Sequence, residues 1–198
     1  CRASHADIVL LLDSSSSVSA KDFKKMLTFA KYFLSDANID SGGVCVGILV
    51  YSTHVHVQFH LKQYSTKSAL FTAIDDVEYR YGDTNTAAAL RIMRTKMFTP
   101  ENGDREDAPN IALVLTDGVS NIEPKYTIIE ALRAHSAGIH IYAIGIRLTE
   151  QTELQNIASK PASENSFRVD DFNELVKIKE EVFAKFCSGK FYYQKHYG

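Results

Sequence analysis

No apolar run in this chain approaches the ~18 residues of a membrane-spanning helix. Its first residues also lack the basic and apolar regions of a signal peptide, so the sequence reads as a mature fragment without a membrane span. A dominant sign of charge is missing too. With 22 Lys and Arg against 24 Asp and Glu, the net charge of −2 supplies no long-range field for a polyanion, and no cluster of basic and aromatic residues compensates. The expectation is therefore no nucleic-acid partner. Internal repeats and low-complexity segments are absent. Cysteine is scarce, at three in 198 residues. Cys1 and Cys187 bracket nearly the whole chain, whereas Cys45 sits in the apolar run Val44-Cys45-Val46. Two readings stay open. Either Cys1 and Cys187 pair, which is the expectation and would add on the order of 5 kcal/mol in the chain-entropy picture, or all three are thiols of a reducing compartment.

What is present suits one packed domain. The chain is 45% hydrophobic and carries 11 Phe and 10 Tyr, enough for a sizeable core at this length. Strand and helix patterns alternate, the order that builds a mostly parallel sheet covered on both faces. Ala6 to Asp13 (ADIVLLLD), Val44 to Tyr51, Asn110 to Thr116 (NIALVLT) and Ile139 to Ile146 read as buried strands, with a short one near Phe167 to Val169. From His54 to Leu61, Val55, Val57, Phe59 and Leu61 alternate with polar residues directly after a short link, which predicts an antiparallel edge strand. Helices are expected after Ser19, whose spacing to Asp22 resembles a capping box, and over Thr66–Val77, Thr86–Phe98, Tyr126–Ser136, Gln151–Ser159 and Asn173–Phe186. Thr99 to Pro109 reads as a surface loop. The domain is expected over 1–188, and 189–198, with Tyr192, Tyr193 and Tyr197, reads as a tail or linker.

Sheets of this kind bind ligands outside the carboxyl ends of their strands. There the first strand ends in Asp13-Ser14-Ser15-Ser16-Ser17 and the fourth in Thr116-Asp117-Gly118, while Gly82-Asp83-Thr84-Asn85-Thr86 precedes a helix. Two carboxylates and three hydroxyls suit a hard divalent cation, and so small a negative charge leaves the ion able to take a partner's carboxylate. Each piece alone is also what an ordinary loop or turn contains.

Asp13-x-Ser15-x-Ser17, Thr84 and Asp117-Gly118 together resemble the metal-ion-dependent adhesion site (MIDAS) of von Willebrand factor A domains, and the resemblance spans about residues 6 to 186. It implies a doubly wound, Rossmann-like α/β fold with six strands in the order 3-2-1-4-5-6, the third antiparallel. It further implies an ion (Mg²⁺, or Mn²⁺ or Ca²⁺) bound by Ser15, Ser17 and Thr84, with Asp13 and Asp117 acting largely through waters. The expected function is a secreted matrix or adhesion module whose protein ligand, collagen or another matrix component, supplies an acidic residue. The alternative is a structural module of a fibre, shell or basement membrane with metal-independent binding. Ala87 stands where the family often has Gly, and Asn121 where many members have Asp.

Signals for an enzyme are absent. The chain has no Gly-x-Ser-x-Gly elbow, no phosphate-cradling Gly-x-x-x-x-Gly-Lys and no Gly-x-Gly-x-x-Gly after the first strand, and position 15 is Ser where a phosphoaspartate hydrolase needs a second Asp. His54, His56 and His60 fall on one side of the expected edge strand, either as a zinc or copper site or, as the reading preferred, as a polar face that discourages edge pairing. Asp75, Asp76 and Glu78, and the loop acids Glu101, Asp104, Glu106 and Asp107, read as solvated surface.

Overall fold

The structure is a computed structural model that describes residues 5–187, with backbone alone for 185–187. The expected Cys1–Cys187 pairing and the 189–198 tail lie outside the described residues.

In chain order the elements are β1 (Ala6–Asp13), α1 (Ala20–Leu34), β2 (Val44–Tyr51), β3 (Val55–Phe59), α2 (Lys67–Asp75), α3 (Thr86–Ile92), β4 (Asn110–Thr116), α4 (Pro124–Ser136), β5 (Ile139–Ile146), α5 (Thr152–Ile157), α6 (Ala162–Asn165), β6 (Ser166–Val169) and α7 (Leu175–Cys187). The six strands form one sheet in the order β3-β2-β1-β4-β5-β6. β3 pairs antiparallel with β2, and every other pairing is parallel. This is the doubly wound order expected from the resemblance.

Because β1 lies between two parallel neighbours and under helices on both sides, all eight of its residues are buried. Side chains that alternate along the strands feed two cores. Ile8, Leu10 and Leu12 join Val46, Ile48, Leu113 and Ile144 beneath α1, α2 and α7. Val9 and Leu11 join Leu49, Val114 and Ile141 beneath α3, α4 and α5. Each such aliphatic side chain contributes about 2 kcal/mol on burial. α1 begins as expected, with the Ser19 side chain accepting from the Asp22 N–H at 3.1 Å.

Two local departures stand out. First, the β2–β3 register slips between Ile48, opposite Phe59, and Leu49, opposite Val57, so Gln58 has no opposite residue. This bulge re-aims the chain. Phe59 joins the α1 side of the sheet while Val55 and Val57 pack on the α3 side, so the expected single row of Val55, Val57, Phe59 and Leu61 is broken. Second, the helix expected over Thr86–Phe98 changes pitch at Ile92. Met93–Met97 form a π turn in which Phe98 N–H reaches back five residues to Met93 C=O at 3.0 Å. Met93 and Met97 both lie in the core, where Met97 fills the space left by Gly47; a Cβ there would lie 2.9 Å from Met97 Cε. α4 buries Thr127, Glu130, Ala131 and Ala134 and exposes Leu132. Its buried Glu130 is met by Arg94 at 3.0 Å and Arg133 at 2.7 Å.

The loop before β4 is pinned from within. Asp7, fully buried near the start of β1, accepts the Arg105 backbone N–H at 2.7 Å and its Nε–H at 2.8 Å. The same guanidinium donates to the carbonyls of Gly42, Ala6 and Gly43 at 2.7, 2.9 and 3.0 Å. One arginine thus ties together the amino-terminal ends of β1 and β2, and the carboxyl edge is left for the site.

Candidate metal centre

The parallel register sets Leu12 opposite Leu115, so Asp13 and Thr116 end neighbouring strands side by side. Asp13 is fully buried. One carboxylate oxygen accepts the Ser15 N–H at 2.8 Å and the other accepts the Thr116 hydroxyl at 2.7 Å. Burial pushes the Asp13 carboxyl up from 3.8 to about 6, against the opposing pull of the Ser15 and Thr116 hydrogen bonds. A buried carboxylate held this way is short of positive charge.

The turn after β1 aims Ser15 Oγ to within 3.1 Å of Ser17 Oγ, and Ser17 in turn donates to Asp117 Oδ1 at 2.5 Å. Asp117 follows the last residue of β4. Its carboxyl is also raised, by burial first, with Ser17 and Arg147 opposing. Gly118 comes next, and a Cβ on it would lie 3.7 Å from Ser17 Oγ and 3.9 Å from Thr84 Oγ1. The Ser17 and Thr84 hydroxyls therefore converge over the Asp117-Gly118 turn. All five expected residues, Asp13, Ser15, Ser17, Thr84 and Asp117, come together from three loops at one sheet edge.

Three side chains that sequence reasoning did not assign to the site hold it in shape. Thr116 anchors Asp13 as described. Asn121 accepts the Thr84 N–H on its side-chain oxygen at 2.8 Å, while Thr84 C=O takes the Asn121 N–H at 3.1 Å, so the departure at position 121 clamps the second loop onto the third. Tyr79 donates its hydroxyl to Val18 C=O at 2.7 Å and steadies the serine loop, which is joined to the second loop by Ser16 N–H to Gly82 C=O at 2.7 Å. Of these only Asn121 stood out in the sequence, as a departure from the family pattern. Arg147, directly after β5, lies 3.3 Å from Asp117 Oδ2.

The donor set tests the identity of any ion. Two acids short of compensating charge and three hydroxyls are all hard oxygen donors, so these residues fit a hard divalent cation. Elsewhere, among the described residues, no group of three or more His, Cys, Asp or Glu is placed to hold a metal. His54 lies in the turn before β3, and His60 follows the bulge, so the three histidines do not form the single row expected of a regular strand.

A doubly wound α/β sheet with these oxygen-bearing side chains gathered at its carboxyl edge defines the class. Residues 7–181 match the von Willebrand factor type A domain, and the chain belongs to that family. The collagen alpha-4(VI) chain of Mus musculus is 34% identical over 188 residues, covering 94% of this chain and 8% of that protein. Matrilin-4 of Homo sapiens is 33% identical over 190 residues, covering 94% of this chain and 30% of that protein. Proximal thread matrix protein 1 from the mussel byssus superposes with a TM-score of 0.87 at 28% identity, over 92% of this chain and 48% of that one. A structure of the same mussel protein with a zinc occupied MIDAS motif gives 0.86 at 27% identity, over 94% and 49%. The chain spans less than half the length of each of these relatives. The collagen and matrilin relatives are secreted extracellular matrix proteins, and this domain is a secreted matrix domain of their family.

Proposed function

We propose that the domain binds a protein ligand of the matrix through one divalent cation, Mg²⁺ in the first instance, with Mn²⁺ or Ca²⁺ as substitutes, and that it is a binding module rather than an enzyme. The observation that carries this reading is the convergence of Asp13, Ser15, Ser17, Thr84 and Asp117 at one edge of the sheet. Ser15, Ser17 and Thr84 would offer neutral oxygens to the ion, and Asp13 and Asp117 its countercharge. When bound, the ion supplies an electrophile for a carboxylate of the partner. The zinc occupied MIDAS motif of the mussel relative supports a cation at this place. Collagen or another matrix protein carrying an exposed Glu or Asp is the proposed partner.

The site's own acids argue against hydrolysis. Metal-assisted hydrolysis needs a base beside the ion, and the five converging residues include no acid beyond Asp13 and Asp117, which supply the ion's countercharge.

Immobilised collagen and matrix extract should retain the domain in Mg²⁺ and release it in EDTA. The Asp117→Ala variant should fold, by circular dichroism, yet fail to bind. Retention that survives both EDTA and this substitution would refute the proposal and favour a structural module that binds matrix without metal.

A further inference from the structure

Arg147 stands beside Asp117, and its role rests on the metal-binding reading above. We propose that Arg147 is a positioning residue that sets the charge balance of the site, weakening its hold on the cation while strengthening its hold on the partner's carboxylate.

The backbone gives the first sign. Arg147 has φ +59°, in the left-handed region that glycine adopts without strain. The other non-glycine residues with positive φ among those described, Tyr81 at +51° and Glu123 at +47°, also lie in loops at the carboxyl edge. Strained backbone concentrates where a side chain is needed in a set place. The turn is held by the Arg147 N–H donating to Val169 C=O at 2.9 Å.

What the conformation delivers is a fixed guanidinium. It stacks over the Phe172 ring at 4.7 Å, lies 3.3 Å from Asp117 Oδ2 and 3.6 Å from Asp22 Oδ2, and remains 45% exposed. Asp22 is already met on its other oxygen by Lys25 at 3.0 Å, so the charge of Arg147 acts mainly on Asp117. Asp13 and Asp117 together would neutralise a divalent ion. Arg147 adds one positive charge to that balance, on the exposed side where a partner arrives. The guanidinium thus competes with the ion for Asp117 and leaves the loaded site attractive to an anion.

The two effects have opposite signs, which a purely structural role would not produce. Mn²⁺ alone is titrated into the wild-type domain and into the Arg147→Gly and Arg147→Lys variants, with bound ion followed by electron paramagnetic resonance. Acetate, as a bare carboxylate, is then titrated into each Mn²⁺-loaded protein and followed by water-proton relaxation. Glycine suits the backbone at this position, so that variant should fold. It should bind Mn²⁺ about tenfold more tightly, the scale of removing one nearby charge from a partly exposed site, and acetate about threefold more weakly or worse. The Lys variant, which keeps the charge, should stay within about twofold of wild type on both counts. A wild-type domain that takes up Mn²⁺ together with a Gly variant that binds both probes equally well, or both more weakly, would overturn the role of Arg147 alone. A wild-type domain that takes up no Mn²⁺ would sink the metal site and this inference together.

Discussion

Removing the charge of Asp13 should stabilise the metal-free domain, although Asp13 belongs to the proposed site. Burial raises its carboxyl from 3.8 to about 6, so the folded chain holds a proton that the unfolded chain has already released between those values. Stability of the metal-free domain therefore falls as pH rises through this window and levels off above about pH 6. A shift of about two units corresponds to about 3 kcal/mol at pH 7.5. The Asp13→Asn variant carries no such penalty, and its hydrogen bonds are conserved. The amide oxygen can still accept from Ser15 N–H, and the amide N–H can donate to Thr116 Oγ1, whose own proton can go to Gly118 C=O, 2.8 Å away.

Thermal unfolding in EDTA at pH 7.5 should thus place the variant about 6–12 °C above wild type, at 2–4 °C per kcal/mol for a domain of this size. The gap should narrow to about 1 kcal/mol at pH 4.5, where most folded wild-type molecules are protonated. Addition of Mg²⁺ should narrow the gap, because wild type gains from binding and the variant gains little, and should reverse it only where Mg²⁺ exceeds its Kd by more than about a hundredfold. A variant less stable than wild type in EDTA, by an amount independent of pH, would refute this account of the buried charge.

The opposite edge and two half-buried histidines yield further tests. Arg105→Ala leaves the carboxylate of Asp7 buried without its partner and should cost about 3–5 kcal/mol in urea unfolding; a loss under about 1 kcal/mol would show that the pairing is incidental. His135 and His140 are held below the ordinary 6.5 by burial. Because the unfolded state binds protons first, their contribution to stability is lost as pH falls from 6.5 through the lower folded values, opposite in sign to the Asp13 effect. Imidazole resonances of the folded domain should titrate below 6.5 for both residues, and a midpoint at or above 6.5 for either would contradict the effect of their partial burial.

The division between what was legible in the sequence and what was not follows from range. Alternating strand and helix, near-continuous apolar runs at β1 and β4, and the capping pattern at Ser19 are local, because burial on both faces and helix capping each impose composition over a few neighbouring residues. The five oxygen-bearing residues were also legible, since each sits directly after a strand or before a helix, and the ends of parallel strands share one edge. The slip that re-aims Phe59, the π turn at Met93–Met97 and the short α6 left no such mark, and the slip depends on which residue of the neighbouring strand lies opposite.

Long-range polar partners were the least visible. Asp7 and Arg105 are 98 positions apart, and Asp117 and Arg147 are 30 apart. Nothing in either local run foretells the meeting. The sequence by itself determined which segments form strands and helices and which oxygens stand at the sheet's rim. Tertiary structure alone decided how strongly those oxygens feel one another, since burial and the approach of Arg147 are products of the assembled sheet and its helices.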